Sequence, residues 1–303
     1  MSLSSSTPAA PRPAALCRSW LFVPGADETA IASASASGAD VLIQELEDFT
    51  PPAQREKARA MAPGIYARWR AAGAVVAVRI NPLEGDGMAD LAAVMRGRPD
   101  IVGLPKVGDA AQVGRLDAAV AELERANGIA VGTTALWPNI ELARGLVATI
   151  AIAQASPRIA ACLMASEDMA ADLGAERAPD GLELAYARQR FLVECVAAGV
   201  VAVDCPYTWR DGAGVERDAR WARRLGYKAK SVVAPEHAAI VNRVLTPSAD
   251  EIARARRLVA AFEAARLRGE ARVELDGALV EVPGYANARR LLARAFELGI
   301  DTG

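Results

Sequence analysis

The amino-acid sequence predicts an α/β chain folded as a (β/α)8 TIM barrel with a C-terminal helical and hairpin extension. Eight short apolar runs recur between residues 19 and 234. They are continuous rather than alternating in polarity, as strands of a parallel sheet covered on both faces should be. Ala-rich amphipathic stretches separate them, as in a chain of βα units. A doubly wound open sheet is the alternative, but neither a GxGxxG fingerprint nor a P-loop supports a nucleotide fold.

The elements follow in order. Residues 1–16, "MSLSSSTPAAPRPAAL", are rich in Ser, Pro and Ala and are expected to form a disordered tail. The tail lacks the continuous apolar core of a signal peptide. The strand-like runs are 19–23, 40–46, 74–80, 101–106, 134–141, 160–166, 199–205 and 229–234. Between them, residues 115–126 place Leu116, Val120 and Leu123 on one stripe, and Asn127-Gly128 stops the helix. Residues 182–198 place Leu184, Phe191, Cys195 and Val196 near one face. The barrel is assigned to 17–245 and an appended extension to 246–303. There Ser248 and Glu251 form a capping box, and a helix runs to about Arg268. Asp276-Gly277 then turns a short hairpin before a last helix.

Composition narrows the function. The 303 residues carry a formal net charge of −2 and no Lys/Arg block, which argues against nucleic acid. No apolar run reaches membrane-spanning length, so no membrane is expected. Cys17, Cys162, Cys195 and Cys205 are scattered without metal spacing, which fits reduced thiols in a cytoplasmic protein. The single histidine, His237, removes most Ser-His-Asp and Cys-His schemes and any multi-histidine metal site. His237 itself reads as a helix-start or packing residue. A metal here would take oxygen ligands.

In a (β/α)8 barrel the catalytic groups sit where strands end. The runs end in Glu45, Glu47 and Asp48; Arg79; Lys106; Glu141; Glu167 and Asp168; and Asp204. Taken singly, each has a structural reading: an acid caps the next helix, a base pairs with a neighbour, and Asp204 reads as structural. Gathered at one mouth, several carboxylates with Arg and Lys describe an oxygen-lined site for a hard cation such as Mg2+.

The motifs "RSWLFVPG" (18–25), "LEDF" (46–49) with "REKAR" (55–59), "VRINP" (78–82), "LPK" (104–106), "IELARGL" (140–146), "SPRIAACLMASEDMAADLGA" (156–175) and "DGALVEVP" (276–283) occur in that order. Together they resemble the citrate lyase β-subunit-like family, the CoA-ester lyase branch of the HpcH/HpaI aldolase superfamily. The resemblance implies cleavage or formation of a C–C bond in a β-hydroxyacyl-CoA such as malyl-CoA, citramalyl-CoA or a citryl thioester. It implies Mg2+, with Mn2+ as an alternative ion, and a CoA thioester as substrate. By position, Glu141 and Asp168 match the metal carboxylates, and Glu141 also lies against substrate. Arg79 matches the arginine that contacts substrate, and Glu47 and Asp48 match the acidic pair beside it. Lys106 matches the fourth-strand lysine, and Arg18 is carried over as a substrate contact. Glu281 matches the acid/base carboxylate of a lid that reaches a neighbouring subunit, implying a homotrimer or a dimer of trimers. The chain differs from the family pattern at Glu45, at Ala165, at Val233-Ala234-Pro235 and at Glu281. Two other readings are a CoA-independent 2-oxo-acid aldolase and a divergent non-catalytic subunit.

Overall fold

A computed structural model describes residues 11–302. Residues 1–10 of the expected tail lie outside the described residues. Ala14–Leu16, also expected in that tail, form a 3-10 turn, and Arg12 pairs with Asp40. The chain divides into two compact units, Met1–Leu245 and Thr246–Gly303.

The first unit holds the eight expected strands: β1 (Ser19–Pro24), β2 (Val41–Glu45), β3 (Val75–Arg79), β4 (Ile101–Leu104), β5 (Ala135–Ile140), β6 (Ala161–Met164), β7 (Val201–Asp204) and β8 (Ala229–Val232). Each pairs in parallel with the next, and β8 returns to β1, closing the barrel. Helices follow the strands: α1 (Glu28–Ser35) after β1, α2 (Arg55–Ala71) after β2, α3 (Met88–Val94) after β3 and α4 (Ala110–Ala126) after β4. Two short helices, α5 (Ala143–Val147) and α6 (Thr149–Ala153), follow β5. Then come α7 (Ser166–Leu173) and α8 (Ala185–Ala198) after β6, α9 (Gly212–Leu225) after β7 and α10 (Pro235–Leu245) after β8. Helix α4 starts before the stripe at 115–126, because Asp109 and Gln112 close a capping box there.

The strands bury both faces, which is why their sequence runs look continuous. One face packs under the helices. The other fills the barrel with Trp20, Phe22, Ile43, Trp137 and their neighbours. Trp137 meets Trp20 and Phe22 edge-on, with ring centroids 5.7 and 6.1 Å apart. Gly103 makes room for it, since a Cβ there would lie 2.5 Å from the indole.

The second unit holds α11 (Ala249–Leu267), the antiparallel pair β9 (Val273–Leu275) and β10 (Ala278–Val280), and α12 (Val282–Glu297). Ser248 and Glu251 form the expected capping box. Asp276 and Gly277 turn the hairpin with φ of 51° and 73°, the left-handed pair that Asp-Gly adopts readily. Phe262 stacks on Tyr285 at 4.8 Å and ties α11 to α12. Among the described residues no helix is long and apolar enough to cross a membrane.

Candidate active site

Alternation along the strands decides which charges enter the barrel. Val75 and Ala77 point inward, so Arg79 at the end of β3 does too. Val41 and Ile43 do the same for Glu45 on β2, and Trp137 does it for Asn139 on β5. The interior is therefore apolar below and charged at the C-terminal rim, where barrels of this kind place their chemistry.

Arg79 is the centre of this rim. It is 4% exposed. Its guanidinium lies 3.0 Å from Glu45, 3.3 Å from Glu47, and 3.8 Å from both Asp48 and Glu141. Phe22 packs against its flat face at 5.1 Å. Burial opposes its charge, but the surrounding carboxylates outweigh that and hold it firmly protonated.

Lys106 follows β4 with φ of 52°, a left-handed conformation that costs a non-glycine residue about 1 kcal/mol or more. The twist turns its own backbone N–H onto Glu141 Oε1. Its Nζ donates to Glu47 at 2.6 Å and stands 3.7 Å from Asp168 and 3.8 Å from Asp48. Partial burial opposes its charge, and the Glu47 hydrogen bond with the nearby carboxylates outweighs that.

Glu141 follows β5 and is fully buried. Burial pushes its carboxyl up to about 7 against the pull of Arg79, with the charges of Asp168 and Glu47 adding to the rise. Asn139 donates to its second oxygen at 3.4 Å. Glu47 is likewise pushed up by burial, against Arg79 and Lys106. Its Oε2 is buried without a hydrogen bond. Asp168, in the first turn of α7, is partly exposed at the mouth.

A cavity of about 380 Å3 opens here. Arg79, Asp48, Glu167 and Asp168 line it, together with an apolar wall that includes Phe22, Leu163, Ala165, Pro206 and Val233.

The structure thus brings together Glu47, Asp48, Arg79, Lys106, Glu141 and Asp168 of the expected site. It does not bring Arg18. That residue precedes β1, at the N-terminal end of the barrel, where its guanidinium grips Asp40 at 2.9 Å. Arg18 belongs to the face opposite the mouth, so its assignment as a substrate contact is corrected. Asp204 is structural. It shares a buried ionic network with Arg188, Lys230 and Asp218. His237 is buried in the first turn of α10, a packing position. Glu281 lies in the second unit, exposed, at the start of α12.

The sequence placed Glu45 at the mouth without a role, and it gave no sign of two further contributors, Asn139 and Phe22. The register Glu45↔Arg79 across β2 and β3 is the signal for the role of Glu45. It pairs an acid with a base at equal height on neighbouring strands.

The donor set fits a hard cation. All the candidate ligands are carboxylate oxygens. Glu141 is destabilised as an anion by burial beside Asp168, which a cation would relieve. Among the described residues no group of three or more His, Cys, Asp or Glu forms a complete cage. A cation would therefore draw further oxygens from water or substrate, the habit of Mg2+.

Comparison with known proteins shows the family of the chain. The family described as HpcH/HpaI aldolase/citrate lyase matches residues 18–235. Citrate lyase subunit beta of Escherichia coli strain K12 is 34% identical over 285 residues, spanning 93% of this chain and 94% of that protein. A (3S)-malyl-CoA thioesterase of Cereibacter sphaeroides is 31% identical over 280 residues, spanning 92% and 94%. The crystal structure of protein CitE from Mycobacterium tuberculosis, in complex with magnesium, acetoacetate and coenzyme A, superposes with a TM-score of 0.75. It is 28% identical, covering 92% of this chain and 98% of that one. With a closed barrel, a rim of carboxylates around one buried arginine and likeness along nearly its whole length, the chain belongs to the HpcH/HpaI aldolase/citrate lyase family, as a citrate lyase β-subunit-like member.

Proposed function

We propose that this chain, a carbon–carbon lyase by family, cleaves or forms a small β-hydroxyacyl-CoA through an acyl-CoA enolate, with Mg2+ as cofactor. The observation that carries the reading is Arg79, buried at the rim among Glu45, Glu47, Asp48 and Glu141. A fixed cation in a dry site stabilises an oxyanion that appears only during reaction. The malyl-CoA, citramalyl-CoA and citryl thioester all meet this description.

Glu141 and Asp168 would hold the Mg2+, which when bound polarises the oxygens of a 2-oxo-acid half as a Lewis acid. The chain's own groups do the rest. A carboxylate of the Glu47–Asp48 pair, or a water it orients, takes the β-hydroxyl proton. The C–C bond electrons pass to the thioester half, and Arg79 faces the oxygen on which that charge gathers. The resulting enolate needs a proton at its α-carbon, and Glu281 is the proposed donor. Lys106 holds Glu47 in place and offsets charge beside Asp168.

Glu281 sits on a separate unit, which supports reading that unit as a lid, supplied across a subunit boundary in a homotrimer or a dimer of trimers. Four buried cysteines, with no disulfide among the described residues, support a cytoplasmic setting.

The test is release of acetyl-CoA or propionyl-CoA from a panel of hydroxyacyl-CoA esters, with and without Mg2+, for the native chain and Glu141→Ala. Free CoA is followed in parallel, because a relative is named a thioesterase. Metal-dependent release lost in Glu141→Ala supports the lyase. No release from any ester while Mg2+ still binds moves the weight to a CoA-independent aldolase or a non-catalytic subunit.

A further inference from the structure

We propose a second binding site, at the pole of the barrel opposite the mouth, for a small polyanion bearing phosphate or carboxylate groups. The site is independent of the lyase reading.

A cavity of about 580 Å3 opens at that pole, within the size range of small-molecule sites. It lies where three strands begin. Val75 opens β3, and Asp100 and Thr134 stand just before β4 and β5. Barrels of this kind place their chemistry at the other end, so catalysis does not account for charge at this one. Among the described residues, the lining carries three arginines, Arg12, Arg70 and Arg98, against one acid, Asp100.

That acid is committed elsewhere. Its Oδ2 accepts the backbone N–H of Val76 at 2.8 Å, and its Oδ1 stands 3.5 Å from Arg70. Arg12 pairs with Asp40, which Arg18 also grips at 2.9 Å. Arg98 makes no side-chain hydrogen bond or ion pair among the described residues. Residues 1–10, which lead to Pro11 and Arg12, contain no Asp or Glu. Three cations thus face one cavity with too few counter-charges, and an anion there relieves their mutual repulsion.

The backbone of Arg98 points the same way. Its φ of 54° is left-handed, a conformation that glycine takes freely and a side chain strains. Arg98 is exposed, so packing does not call for its side chain. Among the described residues of the barrel unit, the other non-glycine residue with such a backbone is Lys106, at the mouth. Strain of this kind gathers where a side chain has work to do. Arg70 donates from Nη2 to the Arg98 carbonyl at 2.7 Å, which holds the two residues at one wall. Adjacent guanidiniums offer paired N–H groups that phosphate and carboxylate oxygens accept together.

The experiment is calorimetric titration of the full chain in EDTA with pyrophosphate and with tricarballylate. EDTA leaves no divalent cation to carry either probe to the mouth. The native chain should bind at least one probe, and the tighter of the two names the phosphate or the carboxylate class. Arg98→Gly should weaken that binding by at least about tenfold while keeping or raising the melting temperature, because glycine relaxes the turn. Arg70→Gln, at the same wall, should weaken it likewise, and Arg79→Ala should bind as the native chain does. No heat with either probe, binding unchanged in both Arg98→Gly and Arg70→Gln, or binding lost in Arg79→Ala instead, overturns the proposal and leaves the lyase reading as it stands.

Discussion

Glu45 accepts the Nε–H of Arg79 at 3.0 Å, and the same carboxylate accepts the backbone amides of Glu47 at 2.7 Å and Phe49 at 2.5 Å. One buried side chain thus fixes both the direction of the guanidinium and the turn that carries Glu47 and Asp48. Glu45→Gln keeps the shape but turns one acceptor into a donor facing N–H groups. It should lower kcat by about 10- to 100-fold and stability by about 1–3 kcal/mol, with Mg2+ affinity retained. Kinetics, denaturant melts and calorimetry read the three quantities. An unchanged kcat would show that Glu45 only supports the fold.

Asp168→Ala should abolish measurable Mg2+ binding by calorimetry. The side chain is partly exposed, and its nearest cation, Lys106, keeps Glu47, so stability should move by no more than about 1 kcal/mol. Unchanged binding would remove Asp168 from the ligand set.

Glu141 makes the apo protein's stability depend on pH. Its folded carboxyl titrates at about 7, above the ordinary 4.5. Below 4.5 the proton is bound in both states and the residue contributes nothing. Between 4.5 and 7 the folded chain keeps a proton that the unfolded chain has lost, so stability falls as pH rises. Above 7 the full cost is present, on the order of 3 kcal/mol. Glu141→Gln removes that cost. In EDTA, the variant's stability advantage should grow between pH 5 and pH 8 in urea melts. A difference that does not change with pH would contradict this.

Lys230 is fully buried, with Nζ 2.8 Å from Asp204 and 2.5 Å from Asp218. Lys230→Met strands two carboxylates beside Arg188 and should cost about 3–5 kcal/mol in denaturant melts. A loss below about 1 kcal/mol would mean the network relaxes around the gap.

The lid proposal has its own signature. Arg79→Ala and Glu281→Gln should each be inactive alone. Mixed and allowed to exchange subunits, they should recover activity, because some sites then combine an intact rim with an intact lid from a neighbour. A monomeric mass in light scattering, or no recovery on mixing, rules out supply of the lid in trans.

The barrel was legible because each strand is a continuous apolar run, six of the eight closed by a charge, and Arg79, Lys106, Glu141 and Asp168 were legible because they stand where such runs stop or just after. Which way a strand-end charge points was not legible. Asp204 ends β7 much as Arg79 ends β3, yet Val203 points into the barrel, so Asp204 points out toward α8 and α9, while Ala77 sends Arg79 inward. With both faces of a strand apolar, the sequence carries no alternation from which to read that parity. The same gap left Glu45 named at the mouth but without a role. Arg18 failed for another reason: it belongs to a motif that straddles a strand, and its end of that strand lies at the wrong pole.

The wedge of Trp137 against Trp20 and Phe22, admitted by the bare Cα of Gly103, makes the barrel a cul-de-sac. Nothing passes through to the far side. Under the proposed lyase reading, both fragments would share the one doorway at the C-terminal rim, and the half held beside Glu141 would have to enter before the half that covers it.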